Sequence, residues 1–354
     1  MHLGRQTAGE IGVDGQRQDH RRTTTRLRAH VCPGTMVGRY EVLAHLGTGG
    51  MASVHLARMV GARGFTKLLA VKLLHTDLAG DPLFVEMFCH EARTVAQLQH
   101  DNIVQVIELG EWRGTLFVAM EYLVGETLAA VSRQARLIDG HAVDPRIVCG
   151  LGLQACEALH YTHEARDMEG TPLSLVHLDV SPQNLLLTYT GSLVLIDFGI
   201  ARSANLVAAV PNNPFRAKTS YTSPERLLDV EPDRRSDIFS LGTVLWELLA
   251  GRSLFGGGND LQTMYRVSQA PIPRLDEERD GVPAVLADVV DRALERDRDQ
   301  RYGSAIELFE ALDTAREALG PPVTSQKLAH EMARLFPGVQ RHKRATADAL
   351  ALGG

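Results

Sequence analysis

His177-Leu178-Asp179-Val180-Ser181-Pro182-Gln183-Asn184, followed by Ile196-Asp197-Phe198-Gly199, is the stretch that decides how this chain is read. An Asp in a loop is ordinarily a solvated turn residue. Two Asp and an Asn at these offsets, with the apolar runs Leu185-Leu186-Leu187 and Leu193-Val194-Leu195-Ile196 between them, are not well explained that way. Asp179 can orient a hydroxyl and accept its proton, and Asn184 and Asp197 can offer oxygen ligands to Mg2+. Phosphoryl transfer needs those parts.

Upstream, Leu46-Gly47-Thr48-Gly49-Gly50-Met51-Ala52-Ser53-Val54 joins two strand-like runs. Glycines let a backbone approach phosphates closely, although a Gly-rich hairpin is more often only a turn. Lys72 ends the run Ala70-Val71-Lys72, so its cation projects from an apolar strand and needs a partner. Glu91, in the middle of the next helix, is the candidate. Such a pair could be structural, but beside a Gly-rich loop it suits holding α- and β-phosphates. The helix itself is predicted from Asp81 at the N-cap, Pro82 at N1 and one apolar stripe through Phe84, Met87, Phe88, Ala92, Val95 and Leu98.

Short β-rich runs surround that helix from Tyr40 to Tyr122, and after Gly125 the pattern becomes mostly helical. The expected fold is α+β and bilobal. A small β-rich lobe would cover 38–122 and a larger helical lobe 123–318, with a C-terminal helical extension over 319–354. In that extension Leu328, Met332 and Leu335 share one side of a stretch from Ser325 to Phe336, which suits packing onto the helical lobe better than docking a partner. Residues 1–37 carry Arg5, Arg17, Arg21, Arg22, Arg26 and Arg28 without apolar periodicity. They read as a disordered basic tail, as a start assigned too early with Met36 the true one, or as an arm for an acidic partner.

Composition narrows the class. The 354 residues are 44% hydrophobic and 23% charged, as in globular proteins, and the net charge of −6 gives no basic excess to favour nucleic acid. Cys32, Cys89, Cys149 and Cys156 show no framework spacing, which suits reduced thiols, with Cys149 and Cys156 buried on one helix. The most apolar run, Ile238 to Ala250, is short for a membrane span and carries Glu247. A cytoplasmic setting is expected. Nothing in the sequence fixes an oligomeric state.

Taken in order, these motifs resemble the eukaryotic-type Ser/Thr protein kinases of bacteria over about Arg39 to Leu312. Met120-Glu121-Tyr122-Leu123 is similar to the gatekeeper and hinge whose backbone bonds adenine. Ser223-Pro224-Glu225 stands for the family's Ala-Pro-Glu, Arg301 for its arginine partner, and Asp237 for the helix aspartate that organises the catalytic loop. His177 is then a packing residue below Phe198. The resemblance implies ATP and Mg2+ as cofactors and protein substrates with Ser/Thr acceptors. It assigns nucleotide contacts to Leu46, Gly47, Thr48, Gly49, Gly50, Val54, Ala70, Lys72, Met120, Glu121, Leu123, Gln183, Asn184, Leu186 and Asp197, with Asn184 and Asp197 on the metal. Catalysis falls to Asp179, Lys72, Glu91 and Lys218.

Four departures stand out. Ala52 replaces the third glycine of the loop, which implies reduced ATP binding. Leu178 replaces the arginine that pairs with a phosphorylated activation loop, which implies activity without phosphorylation at Thr219, Ser220 or Thr222. Ser181 stands where the family has a lysine beside the base, and Lys218 where it has a threonine. Lys218 would then supply the missing cation, or be a solvated loop lysine. Three readings follow: an active protein kinase, a nucleotide-binding scaffold, and a small-molecule phosphotransferase. The last would not need Ser223-Pro224-Glu225, Asp237 and Arg301.

Overall fold

In the computed structural model, residues 31–140, 142–198, 219–341, 343 and 345 are described. A six-stranded antiparallel sheet in the order β1-β2-β3-β4-β6-β5 builds the first lobe. Its strands are β1 (Met36–Val37), β2 (Tyr40–Thr48), β3 (Ala52–Val60), β4 (Thr66–Leu74), β5 (Val106–Trp112) and β6 (Thr115–Glu121). Side chains alternate across the sheet. Leu69, Val71 and Leu73 of β4 pack with Tyr40 and Phe117 in an outer apolar cluster, whereas Ala70 and Leu74 join the main core and Lys72 faces the inter-lobe space.

The tail boundary at residue 37 is corrected by β1. Gly38, at φ 58°, and Arg39 form a two-residue hairpin turn that pairs Val37 with Tyr40 and buries Val37 completely.

The helix α1 (Pro82–Val95) begins as its cap predicts: Leu83 N–H donates to Asp81 Oδ1 at 3.0 Å. Its stripe is buried from Phe84 to Val95, with Leu98 continuing it. One turn of this helix above the sheet carries Glu91.

The second lobe opens with β7 (Gly125–Thr127), α2 (Leu128–Asp139) and α3 (Pro145–His163). The strands β8 (Leu185–Thr188) and β9 (Leu193–Leu195) complete a small sheet ordered β7-β8-β9. Then come α4 (Pro224–Leu227), α5 (Arg234–Ala250), α6 (Asp260–Ser268), α7 (Leu275–Glu278), α8 (Ala284–Ala293), α9 (Ala305–Arg316) and α10 (Ser325–Leu335). Every residue of α5 from Ser236 to Trp246 is buried, so this helix is the axis of the lobe rather than a surface element. Among the described residues no helix is long and apolar enough to cross a membrane. Cys149 and Cys156 are free and buried on α3, where burial pushes both thiols up.

The C-terminal helix joins the main core. Leu328, Met332 and Leu335 are buried there, and Arg334 makes a two-pronged contact with Asp139 of α2 at 2.7 Å for each prong. The β8–β9 turn meets α10 so closely that a Cβ on Gly191 would lie 2.0 Å from the Ser325 carbonyl oxygen. The stripe therefore packs on the helical lobe, as expected.

Candidate active site

Between the lobes lies a cavity of about 700 Å³. Its roof is the Leu46–Ala52 turn with Val54, Ala70 and Lys72; its back is Met120, Glu121, Tyr122 and Leu123; its floor is Asp179, Gln183, Asn184, Leu186 and Asp197. Every residue assigned above to nucleotide contact lines this one space. Lys218 lies outside the described residues, as does Gly199.

Elements far apart in sequence converge on Lys72. The register of β4 between β3 and β6 sets Lys72 opposite Val54 and Val118, with its side chain in the cavity. Its Nζ donates to Glu91 Oε1 at 2.8 Å and to Asp197 Oδ1 at 2.9 Å. Burial alone would lower the Lys72 pKa, but Asp197 and Glu91 outweigh it and raise it well above the ordinary value, so the ammonium stays charged. Burial pushes the Glu91 carboxyl up, and Lys72 reverses only part of that. One cation thus ties α1 to the Asp197 segment.

On the floor, Asn184 Nδ2 donates to Asp179 Oδ2 at 2.7 Å and to the Asp179 carbonyl at 2.9 Å. The same nitrogen also donates to the Asp197 carbonyl at 3.3 Å, so the amide oxygen of Asn184 is the atom left to ligate a cation, alongside the Asp197 carboxylate of the same cavity. An all-oxygen set of this kind fits a hard divalent cation. The turn before Asp179 is held from below. Asp237 on α5, fully buried, accepts from His177 N–H at 2.7 Å, Leu178 N–H at 2.8 Å and His163 Nε2 at 2.8 Å. Burial would raise the Asp237 carboxyl, yet the His163 bond, the two histidine rings and the backbone donor bring it below its ordinary value. Leu178 is thereby kept at φ 62°, a left-handed conformation that a residue with a Cβ adopts only when its surroundings enforce it. His177 packs against Phe198 with ring centroids 4.5 Å apart and the planes tilted by 44°, the packing role expected of it.

The Gly-rich turn forms the roof of the cavity. Neither Gly47 nor Gly49 has a positive φ; a Cβ on Gly47 would meet nothing within 4 Å, and one on Gly49 would meet only the Ala52 carbonyl, at 3.6 Å. The fold does not require glycine at these two positions, and their lack of side chains leaves the backbone open to close approach from the cavity. Ala52 is 3% exposed and packs into the apolar core at the cavity edge. The loop tip is pinned by a residue that sequence reasoning missed: His75 donates from its backbone to Met51 O at 2.8 Å and bonds Gly49 O through Nε2 at 2.9 Å. No local pattern signals it, because His75 meets the turn only through the β3–β4 register. Gly125 differs from the loop glycines: a Cβ there would collide with Leu186 and Leu187, so glycine is required where β7 crosses β8 beside the cavity floor.

Below the site, Glu225 of α4 and Arg301 form a buried two-pronged ion pair, 2.8 Å on each side, as the family resemblance implied. Ser181 is fully buried and its hydroxyl has no hydrogen bond among the described residues, so it does not stand in for the absent lysine.

The sequence pattern described as the protein kinase domain matches residues 40–313. The tyrosine-protein kinase MasK of Myxococcus xanthus is 37% identical over 277 residues, covering 78% of this chain and 43% of MasK. The serine/threonine-protein kinase PknB of Mycobacterium tuberculosis is 34% identical over 314 residues, covering 85% of this chain and 46% of PknB. The chain therefore spans about half the length of these curated relatives. The crystal structure of the Mycobacterium tuberculosis PknI kinase domain superposes with a TM-score of 0.61 at 28% identity, over 80% of this chain and 99% of that one. The match runs from β2 to α9, through both lobes, and the chain belongs to the protein kinase family in the eukaryotic-type form that bacteria carry.

Proposed function

We propose that this chain transfers the γ-phosphoryl group of ATP to Ser or Thr hydroxyls of protein substrates, in signal transduction, with Mg2+ as the metal. The observation that carries this reading is the Lys72 ammonium bridging Glu91 and Asp197 in the cavity that also holds Asp179 and Asn184. In this reading the Gly-rich turn covers the phosphates and Lys72 holds their α and β groups. Asn184 and Asp197 hold Mg2+, which would neutralise charge developing on the phosphates. Asp179 orients the acceptor hydroxyl and takes its proton. Lys72, Glu91, Asp179, Asn184 and Asp197 are all present, and no observation favours a nucleotide-binding scaffold over an enzyme.

The choice of acceptor rests on Ser181-Pro182 in the catalytic loop and on relatives named as Ser/Thr kinases, while MasK is named as a tyrosine kinase. The buried Glu225–Arg301 pair beneath α4 supports a protein-substrate platform rather than a small-molecule phosphotransferase. The free thiols of Cys149 and Cys156 suit the cytoplasm.

The test is incubation of the full chain with γ-labelled ATP, Mg2+ and a generic protein acceptor, followed by acid hydrolysis and separation of the phosphoamino acids. Label on phosphoserine or phosphothreonine is expected. Label on phosphotyrosine alone would overturn the acceptor assignment, and no label with Mg2+ present would overturn the enzymatic reading.

A further inference from the structure

The peptide that leads into Asp179 is held from a side that the core residues do not reach. Leu178 and Asp179 share a peptide unit whose two polar ends are both occupied. Its N–H, that of Asp179, meets His177 Nδ1 at 3.2 Å. Its carbonyl, that of Leu178, accepts from Arg226 Nη1 at 2.6 Å. The unit follows directly on the left-handed turn at Leu178, whose own N–H is taken by Asp237. On the far side Asn184 fixes the carboxylate and the carbonyl of Asp179. Arg226 therefore holds the turn at a group that Asp237, His177 and Asn184 do not bond among the described residues.

The base of Arg226 is itself rigid. It follows Glu225 in the short helix α4, and Glu225 is locked to Arg301, whose side chain is completely buried. A guanidinium donating to a carbonyl is a charge-assisted bond, stronger than the neutral Asp179 N–H to His177 contact at the other end of the same peptide. Rotation of the Leu178–Asp179 peptide would swing the Cα–Cβ direction of Asp179 and with it the carboxylate. Leu178 cannot bring a cation to this turn, and Arg226 brings one from the activation-segment side.

We propose that Arg226 is a positioning residue for phosphoryl transfer: by bonding the Leu178 carbonyl it fixes the peptide that aims Asp179 at the acceptor hydroxyl. The proposal rests on the kinase reading above. It makes the orientation of the base depend on correct seating of α4, the segment that follows the activation loop.

Arg226→Ala, Arg226→Lys and the unaltered chain are compared in steady-state transfer from Mg-ATP to one Ser-containing peptide, with the ATP-induced Tm shift measured on each. A misplaced base costs rate, with ångström errors reaching about a hundredfold. Arg226→Ala is expected to lose about ten- to a hundredfold in kcat, with KM for ATP and peptide within about twofold and an unchanged ATP-induced Tm shift. Arg226→Lys, which keeps a cationic donor, is expected to recover a substantial part of kcat. A kcat for Arg226→Ala within about twofold of the unaltered chain would overturn the proposal. So would a change confined to peptide KM, or a loss of kcat that follows a lost Tm shift and is not rescued by lysine. Inactivity of the unaltered chain would instead overturn the kinase reading, and this proposal with it.

Discussion

Replacing Glu225 by Gln removes one charge from a buried, richly hydrogen-bonded ion pair in the second lobe. Arg301 uses its guanidinium on both oxygens of Glu225 and on the carbonyls of Glu295, Arg235 and Arg296, while Ser236 adds a hydroxyl to Glu225. The two side chains are 0% and 7% exposed, so solvent screens little of the interaction. Burial by itself would raise the Glu225 carboxyl, but Arg301 and Ser236 outweigh it and hold it at about 2, against an ordinary 4.5. At about 1.4 kcal/mol per pH unit, that depression corresponds to about 3 kcal/mol of stability at neutral pH. Breaking a buried pair by deleting one partner typically costs about 3–5 kcal/mol, so two independent routes agree. Because the folded pKa is depressed, this stability is fully present above the unfolded value near 4.5 and is lost as pH falls toward 2. By pH 3 about 2 kcal/mol of it has gone.

The assay is urea unfolding followed by fluorescence of Trp246, which is buried on α5 of the same lobe. Glu225→Gln should lose about 3 kcal/mol at pH 7, and the deficit should shrink between pH 4.5 and pH 3. The double variant Glu225→Gln/Arg301→Met should lose less than the two single variants added together, because neither charge is then left alone. A deficit below about 1 kcal/mol at pH 7, or one equally large at pH 3, would refute the reasoning.

Lys72→Met should leave the fold intact, because methionine fills the stem, yet lower kcat by about a hundredfold or more in the peptide assay. His75→Ala should raise KM for ATP several-fold with a smaller effect on kcat, since it frees the tip of the Gly-rich turn without touching Asp179; steady-state kinetics in ATP checks it. Gly191→Ala should unseat α10, because φ there is +88° and the new Cβ meets the Ser325 carbonyl at 2.0 Å. Limited proteolysis between Pro321 and Thr324 should report that as faster cleavage.

The parts of this molecule that were legible in sequence share one property: their partners lie close by or in a fixed motif order. Asp81 and Pro82 announce the start of α1, and the apolar stripe from Phe84 to Leu98 is buried as its spacing requires. Asp179 and Asn184 lead into the β8–β9 hairpin and Asp197 follows it, so their convergence could be anticipated. The pairing of Glu225 with Arg301 spans most of the second lobe and was available only through the resemblance. His75, Arg226 and His163 were not legible, because each acts through tertiary register on a backbone group or a distant carboxylate. A histidine that bonds a carbonyl carries no sequence pattern of its own. Met36 and Val37 were read as tail since two residues are too few for strand periodicity; the Gly38-Arg39 turn was the available sign.

The central claim is that Asp179 acts as the base in the site built by Lys72, Glu91, Asn184 and Asp197, and Asp179→Asn tests it most directly. Asparagine preserves the shape and a bond to Asn184, so ATP binding should survive, with KM for ATP and the ATP-induced Tm shift close to those of the unaltered chain. The account predicts a fall in kcat of about 10²- to 10⁴-fold for transfer to a Ser-containing peptide. An Asp179→Asn variant that keeps more than about a tenth of the original kcat would contradict it.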